Sequence, residues 1–279
     1  MSFLIRFARQ WIAGETSGSA IASAKKKNRA GFGVIINFLG EHVVERKEAQ
    51  ENVEENIRLL VALEKERVNA SLSIKLTQLG LLIDKGFCIS NVEKIVSSAT
   101  SKGIFIWIDM ENSPYIEDII DIYLDIFNKY GNSGIAIQAN LKRSENDIKR
   151  ITAQGGMIRL VKGAYSEKKE IAFSRRSEVT KNFSKLMGYL FYKSAFFAIA
   201  THDDKLINEA IEVNKVHKKR LEFQMLKGVR VELKNWLVMK GFNVVDYIPY
   251  GKNWFPYTTR RVRERKRNIL LILRSVFDI

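Results

Sequence analysis

One cysteine, three prolines and three histidines are all that the 279 residues contain of those types. Cys88 alone permits no intrachain disulfide and no thiolate cluster for zinc or iron–sulfur, and it reads as a buried, inert thiol. His42, His202 and His217 have no metal-type spacing, so no metal site is expected. No apolar run reaches the roughly 20 residues that span a bilayer. In the opening stretch MSFLIRFARQWIAGE charge interrupts the apolar run early, so no signal peptide is read and a cytoplasmic address is expected. No low-complexity linker divides the chain, and a single domain over 1–279 is expected. Carboxylates are scarce beside cations, 31 against 46, which leaves a net charge of +15. That excess permits nucleic acid, an acidic membrane surface or an anionic ligand as partner, and does not choose among them.

What is present is a core. The chain is 46% hydrophobic and 10% aromatic, against wholesale disorder. Short β-rich runs recur along it: Val34 to Leu39, Leu72 to Leu76, Ile104 to Ile108, Ile135 to Gln138, Met157 to Val161, Phe196 to Ala200, Leu221 to Gln224 and Val244 to Ile248. Several are almost wholly apolar, as strands covered on both faces are. Between them lie segments of helical period. Ile116, Ile119, Ile120, Tyr123, Phe127 and Tyr130 recur at spacings of three and four, with Asn112 to Pro114 as a start signal and Gly131 as a stop. A second helix is expected over roughly Glu45 to Ala70, with Val53, Ile57, Leu60, Val61 and Glu64 on one side. The alternation predicts an α/β fold, a (β/α)8 barrel of the TIM type; an open doubly wound sheet is the alternative. The G-x-G-x-x-G of a dinucleotide-binding sheet is missing after the first strand.

Barrel chemistry gathers at the C-terminal ends of the strands. There the sequence offers Glu41 and His42, Lys75, Asp109 and Glu111, Gln138, Arg159 and Lys162, Thr201 to Asp203, Glu222 and Gln224, and Tyr247. Gly163 and Ala164 let a backbone come close to a ligand. No Ser/His/Asp or Cys/His set and no glycosidase-like carboxylate pair is seen. The rim suits a large polar cofactor and a small anionic substrate, and the residues alone name neither.

Six motifs stand in order: SIKLTQLG (Ser73 to Gly80), IDMENS (Ile108 to Ser113), RLVKGAY (Arg159 to Tyr165), ATHD (Ala200 to Asp203), LEFQMLKG (Leu221 to Gly228) and YIPYGKNWFPYTTRRVRER (Tyr247 to Arg265). The set resembles the flavin-dependent proline dehydrogenases over nearly the whole chain. The resemblance implies a distorted (β/α)8 barrel with extra N-terminal helices and FAD held noncovalently at the strand ends. It also implies oxidation of L-proline to pyrroline-5-carboxylate, with electrons passing to a membrane quinone. Arg260, Arg261 and Lys75 would bind the proline carboxylate, and paired guanidinium groups suit that task through bidentate hydrogen bonds. Glu264 would reach back along a helix to hold an arginine. Tyr247, Tyr165 and Leu226 would wall the five-membered ring, and Asp109 would organise the cations. Arg159 would sit by the reactive flavin nitrogen, with Met110, Gln138, Lys162, Gly163, Ala164, Thr201, His202 and Glu222 as the other cofactor contacts.

The chain departs from the family pattern at Gln138 to Leu141, which reads QANL where QAYL is common, and at ENS in place of EDS. The resemblance also implies that only the first product is made, without the aldehyde dehydrogenase domain of bifunctional relatives. A nucleic-acid-binding protein is the rival, argued from the charge and from Arg260 to Arg267, although no recognisable module accompanies it. The basic, apolar stretch Arg267 to Phe277 leaves three readings open: a peripheral membrane contact, a helix over the barrel, or a contact in a homo-oligomer.

Overall fold

The computed structural model describes residues 8–260. Its strands are β1 (Gly33–Phe38), β2 (Ala70–Ile74), β3 (Ile106–Ile108), β4 (Ser133–Gln138), β5 (Met157–Val161), β6 (Phe196–Ala200), β7 (Arg220–Leu226) and β8 (Asn243–Tyr250). Helix α1 (Ser17–Arg29) precedes them. Then α2 (Arg46–Lys65), α3 (Lys85–Ser101), α4 (Ile116–Tyr130), α5 (Ser144–Ala153), α6 (Arg176–Lys193), α7 (Asp204–His217) and α8 (Val231–Met239) follow β1 to β7 in turn. Residues 254–260, beyond β8, are helical too. Every strand pairs in parallel with the next, and β8 pairs back onto β1, where Ile35 lies beside Tyr247. The sheet is therefore the expected closed barrel, and the pairing of β8 with β1 excludes an open sheet. Helix α1 supplies a helix ahead of the first strand. No helix among the described residues is long and apolar enough to cross a membrane.

The apolar strand runs follow from burial on both faces. One set of alternating residues, such as Leu72, Ile106, Ile158, Phe197 and Phe223, joins the large core between barrel and helices. The other set points into the barrel. Its lower part is plugged by Ile35, Trp107, Ala198 and Val245, with Phe105, Phe196 and Tyr247 packed against them. Gly134 makes room for this plug: a Cβ there would lie 2.5 Å from the Trp107 ring. With the bottom filled, the barrel's open space lies toward the strand ends.

Helix starts and stops follow local chemistry. The Asp84 side chain accepts from the Phe87 amide at 2.7 Å at the head of α3, and Asp203 accepts from the Lys205 amide at 3.0 Å at the head of α7. Helix α4 stops at Gly131, whose φ of 66° lets the chain leave in the left-handed region. Two expectations change. Helix α2 ends at Lys65, earlier than Ala70, because Arg67 turns the chain with φ 51° toward β2. Its buried face holds Val53, Leu59, Leu60 and Leu63, whereas Val61 is 49% exposed and Glu64 also faces solvent. The helical stripe is thus rotated from the side inferred from sequence.

Candidate active site

Asp109, one residue past β3, is the hub of the barrel mouth. Its Oδ1 accepts from Ser73 Oγ at 2.8 Å and from Arg159 Nη2. Its Oδ2 accepts from Lys75 Nζ at 3.2 Å and from the Tyr247 hydroxyl at 2.8 Å. Donors from β2, β5, β8 and the turn after β2 therefore converge on one carboxylate. Burial alone would raise the Asp109 carboxyl, but the charges of Lys75 and Arg159, helped by the Ser73 and Tyr247 hydrogen bonds, hold it down at about 2. Burial would likewise lower Lys75, and the facing Asp109 charge keeps it well above the usual lysine range. The Arg159 guanidinium lies 5.1 Å above the Trp107 ring of the barrel plug, so the cation has an aromatic floor.

At the rim, Arg260 Nη1 donates to Glu41 Oε1 at 2.5 Å, and the Tyr165 hydroxyl stands 3.5 Å from Glu41 Oε2. Burial would raise the Glu41 carboxyl; hydrogen bonding and charge from Arg260, with the charge of Lys75, hold it below its ordinary value. Three cations, Lys75, Arg159 and Arg260, thus meet three carboxylates at this end: Asp109, Glu41 and the buried Glu111, whose charge also acts on Lys75.

These groups line a cavity of about 1140 Å³. A small zwitterion does not fill such a space, which lies above the usual range for single-ligand pockets. Its far wall carries Gln138, Lys162 and Thr201, with Met110 and His202 also on the lining. Lys162 Nζ donates to Asp203 Oδ2 at 2.6 Å and to Thr180 Oγ1 at 3.1 Å. His202 Nε2 accepts from the Leu226 amide at 3.1 Å, which assigns the ring proton to Nδ1 in the neutral form. Gly163 has φ 109°, and a Cβ there would collide with the Asn140 carboxamide.

The structure brings together Lys75, Asp109, Met110, Gln138, Arg159, Lys162, Gly163, Ala164, Tyr165, Thr201, His202, Leu226, Tyr247 and Arg260 around the one cavity. Glu222 does not line it. Its carboxylate accepts from Gln224 Nε2 at 2.6 Å, and Gln224 is the residue of β7 that reaches the lining at this point. Arg261 and Glu264, and the stretch Arg267 to Phe277, lie outside the described residues. Sequence reasoning missed the pairing of Glu41 with Arg260 and the part played by Ser73. It also missed the role of Glu111, whose buried carboxylate accepts from the Thr77 amide at 3.0 Å and so fixes the turn after Lys75.

A closed parallel barrel with a charged, polar pocket at its strand ends has the architecture of the α/β-barrel enzymes. A sequence profile of the proline dehydrogenase family matches residues 20–269. Proline dehydrogenase 2 of Bacillus subtilis strain 168 is 35% identical over 286 residues, covering 98% of this chain and 94% of that protein. Proline dehydrogenase 1 of the same strain is 33% identical over 272 residues, covering 96% and 90%. The chain belongs to the proline dehydrogenase family of oxidoreductases. Among solved structures, proline utilization A from Bdellovibrio bacteriovorus, inactivated by N-propargylglycine, superposes with a TM-score of 0.89 at 23% identity over 94% of this chain. A variant of proline utilization A from Bradyrhizobium japonicum does so with 0.80 at 19% identity over 94%. At that identity they show the fold, and this chain spans 33% and 31% of their lengths.

Family membership implies a flavin, and the wall of the cavity accords with one. Three buried polar atoms on it, Arg159 Nε, Gln138 Oε1 and Asn140 Oδ1, have no hydrogen-bond partner among the described residues. Buried polar atoms without partners are costly, so a ligand that offers both donors and acceptors belongs there. An isoalloxazine ring offers both.

Proposed function

We propose that this protein oxidises L-proline to 1-pyrroline-5-carboxylate with noncovalently bound FAD and passes the electrons to a quinone. The observation that carries the reading is the shared carboxylate of Asp109: it holds Lys75 and Arg159 side by side in the cavity of a proline dehydrogenase family member. One cation faces the substrate end and the other faces the open polar wall.

When bound, the flavin supplies the acceptor for the two electrons that leave the substrate. The chain's own residues do the rest. Lys75 and Arg260 bind the proline carboxylate, with Arg261 beside Arg260 in sequence as the second guanidinium. Arg260 changes partner from Glu41 to the substrate in doing so, which exchanges one charge-assisted hydrogen bond for another. Tyr165, Tyr247 and Leu226 close on the ring and exclude water. Loss of hydride from the carbon beside nitrogen, and of one proton from nitrogen, gives the imine. Asp109 is too weak a base for that proton, with its carboxyl held at about 2. The Tyr247 hydroxyl is pushed up by burial and by Asp109, and does not ionise near neutrality. That proton therefore leaves the iminium for solvent after hydride loss, as the first proton of the substrate ammonium does before it, and Asp109 works as a fixed anion that orients Lys75 and Arg159. Arg159, beside the flavin, favours the electron-rich reduced state.

A second groove adjoins the cavity through Arg176, Thr180, His202 and Asp203 and adds Lys181 and Lys205. Its cations suit a pyrophosphate, which favours FAD over a mononucleotide. Purified protein should be yellow, should bleach when L-proline is added without oxygen, and should release a compound of the mass of FAD on heating. A colourless protein that binds DNA with a steep salt dependence would support the nucleic-acid reading instead.

A further inference from the structure

Glu222 is not on the cavity lining, yet its carboxylate is part-buried in the barrel with both oxygens hydrogen-bonded. The strand register explains its surroundings. Arg159 on β5 lies beside Ala198 on β6, and Ala198 lies beside Glu222 on β7. The two side chains thus start from neighbouring positions of one register layer, with Ala198 between them. Burial pushes the Glu222 carboxyl up, while hydrogen bonds from Gln224 and from Asn243 on β8, with the charges of Arg159 and Arg220, oppose it. Glu222 Oε1 accepts from Gln224 Nε2 at 2.6 Å, and Oε2 accepts from Asn243 Nδ2 at 3.3 Å. Gln224 Oε1 in turn accepts from Arg159 Nη1 at 3.4 Å.

The direction of this relay is dictated by donor and acceptor inventory. Both Glu222 oxygens accept, Oε1 from Gln224 and Oε2 from Asn243, so Glu222 takes the NH2 end of the Gln224 amide. The carbonyl end is then left for Arg159, which only donates. With the amide reversed, two donors would face each other beside a buried cation, and the guanidinium would lose a partner in a place where replacement by water is costly.

We propose that Glu222 is a positioning residue: from beneath the cavity it fixes the sense of the Gln224 amide, and Gln224 thereby holds Arg159 with Nη2 on Asp109. The proposal rests on the reading above, in which Arg159 faces a flavin. Glu222 acts only through Gln224, and a double-mutant cycle isolates such dependence.

The cycle comprises flavin-loaded wild type, E222Q, Q224M and E222Q/Q224M. Two readouts apply: the midpoint potential of the bound flavin, measured with redox dyes, and kcat and KM for L-proline. The carboxamide introduced by E222Q can donate as readily as accept, so it no longer fixes the neighbouring amide. Q224M should shift the potential to more negative values and lower kcat about tenfold, the equivalent of one lost hydrogen bond to a charged group. E222Q should move both in the same direction by less, with KM nearly unchanged. The double variant should match Q224M. Additive effects in the double variant, or an unchanged potential in E222Q, would overturn the proposal. Should E222Q not fold, Q224M alone decides, because an unchanged potential there removes the relay. Failure of wild type to oxidise proline would instead count against the functional reading, and the dye-measured potentials would still test the relay.

Discussion

Replacing Asp109 by asparagine keeps its shape and removes its charge, which makes it the sharpest probe of the site's electrostatics. The carboxyl falls from its ordinary 3.8 to about 2 on folding, because Lys75 and Arg159 outweigh the cost of burial. That lowering corresponds to roughly 2 kcal/mol of stability. D109N should lose more, because Lys75 and Arg159 are left without their counter-ion; breaking a buried ion pair by deleting one partner costs about 3 to 5 kcal/mol. For a chain of this length the expected fall in Tm is on the order of 10 °C. The pH dependence has a definite sign. A carboxyl with a depressed value stabilises the fold fully above its unfolded value, and the contribution drains away as pH falls through the folded value. The difference in urea-unfolding free energy between wild type and D109N should therefore be full at pH 6 and shrink by about half the linkage contribution at pH 3. Unfolding curves for both proteins between those pH values, on flavin-loaded material, supply the comparison. A gap below about 1 kcal/mol at pH 6, or one that widens on acidification, would refute the idea that Asp109 is the anion pinning two cations.

Other outcomes follow from the same geometry. R260M should raise KM for proline about 10- to 100-fold, the range for a lost charged hydrogen bond, while flavin content stays unchanged. Its Tm should move little, because the ion pair with Glu41 is part-exposed, at 33% and 19% of side-chain surface; unchanged steady-state kinetics would remove Arg260 from the site. G163A should purify with little flavin, since φ 109° disfavours any side chain and the new Cβ runs into Asn140. A normal ratio of flavin to protein absorbance in G163A would show that the backbone there is not close to the cofactor.

Much of the barrel was legible because parallel strands buried on both faces leave apolar runs. Met157 to Val161 and Phe196 to Ala200 match β5 and β6 to the residue. Helix α4 was legible too, since its apolar stripe sits between a start signal and a glycine stop. Val61 was misplaced for a physical reason: neighbouring apolar residues of α2 define two adjacent stripes, and only packing against the barrel selects one. The cavity residues were found through motifs, whereas their partnerships were not. Glu41 and Arg260 are 219 positions apart, and nothing local in either segment announces the pairing. Glu222 was assigned to the cofactor because its motif leads to the strand end. Its register beside Ala198, and so its depth in the barrel, is set by the closed sheet and is not legible in the motif.

The central claim is that a carboxylate is gripped by Lys75 and Arg260 over a flavin. The direct measurement is an anaerobic titration of the flavin absorbance with L-proline and with L-prolinamide, which keeps the ring and nitrogen but lacks the anion. The account requires bleaching by proline and at least about a hundredfold weaker response to prolinamide, a loss of charged contacts worth roughly 3 kcal/mol. Equal bleaching by the two compounds would contradict it.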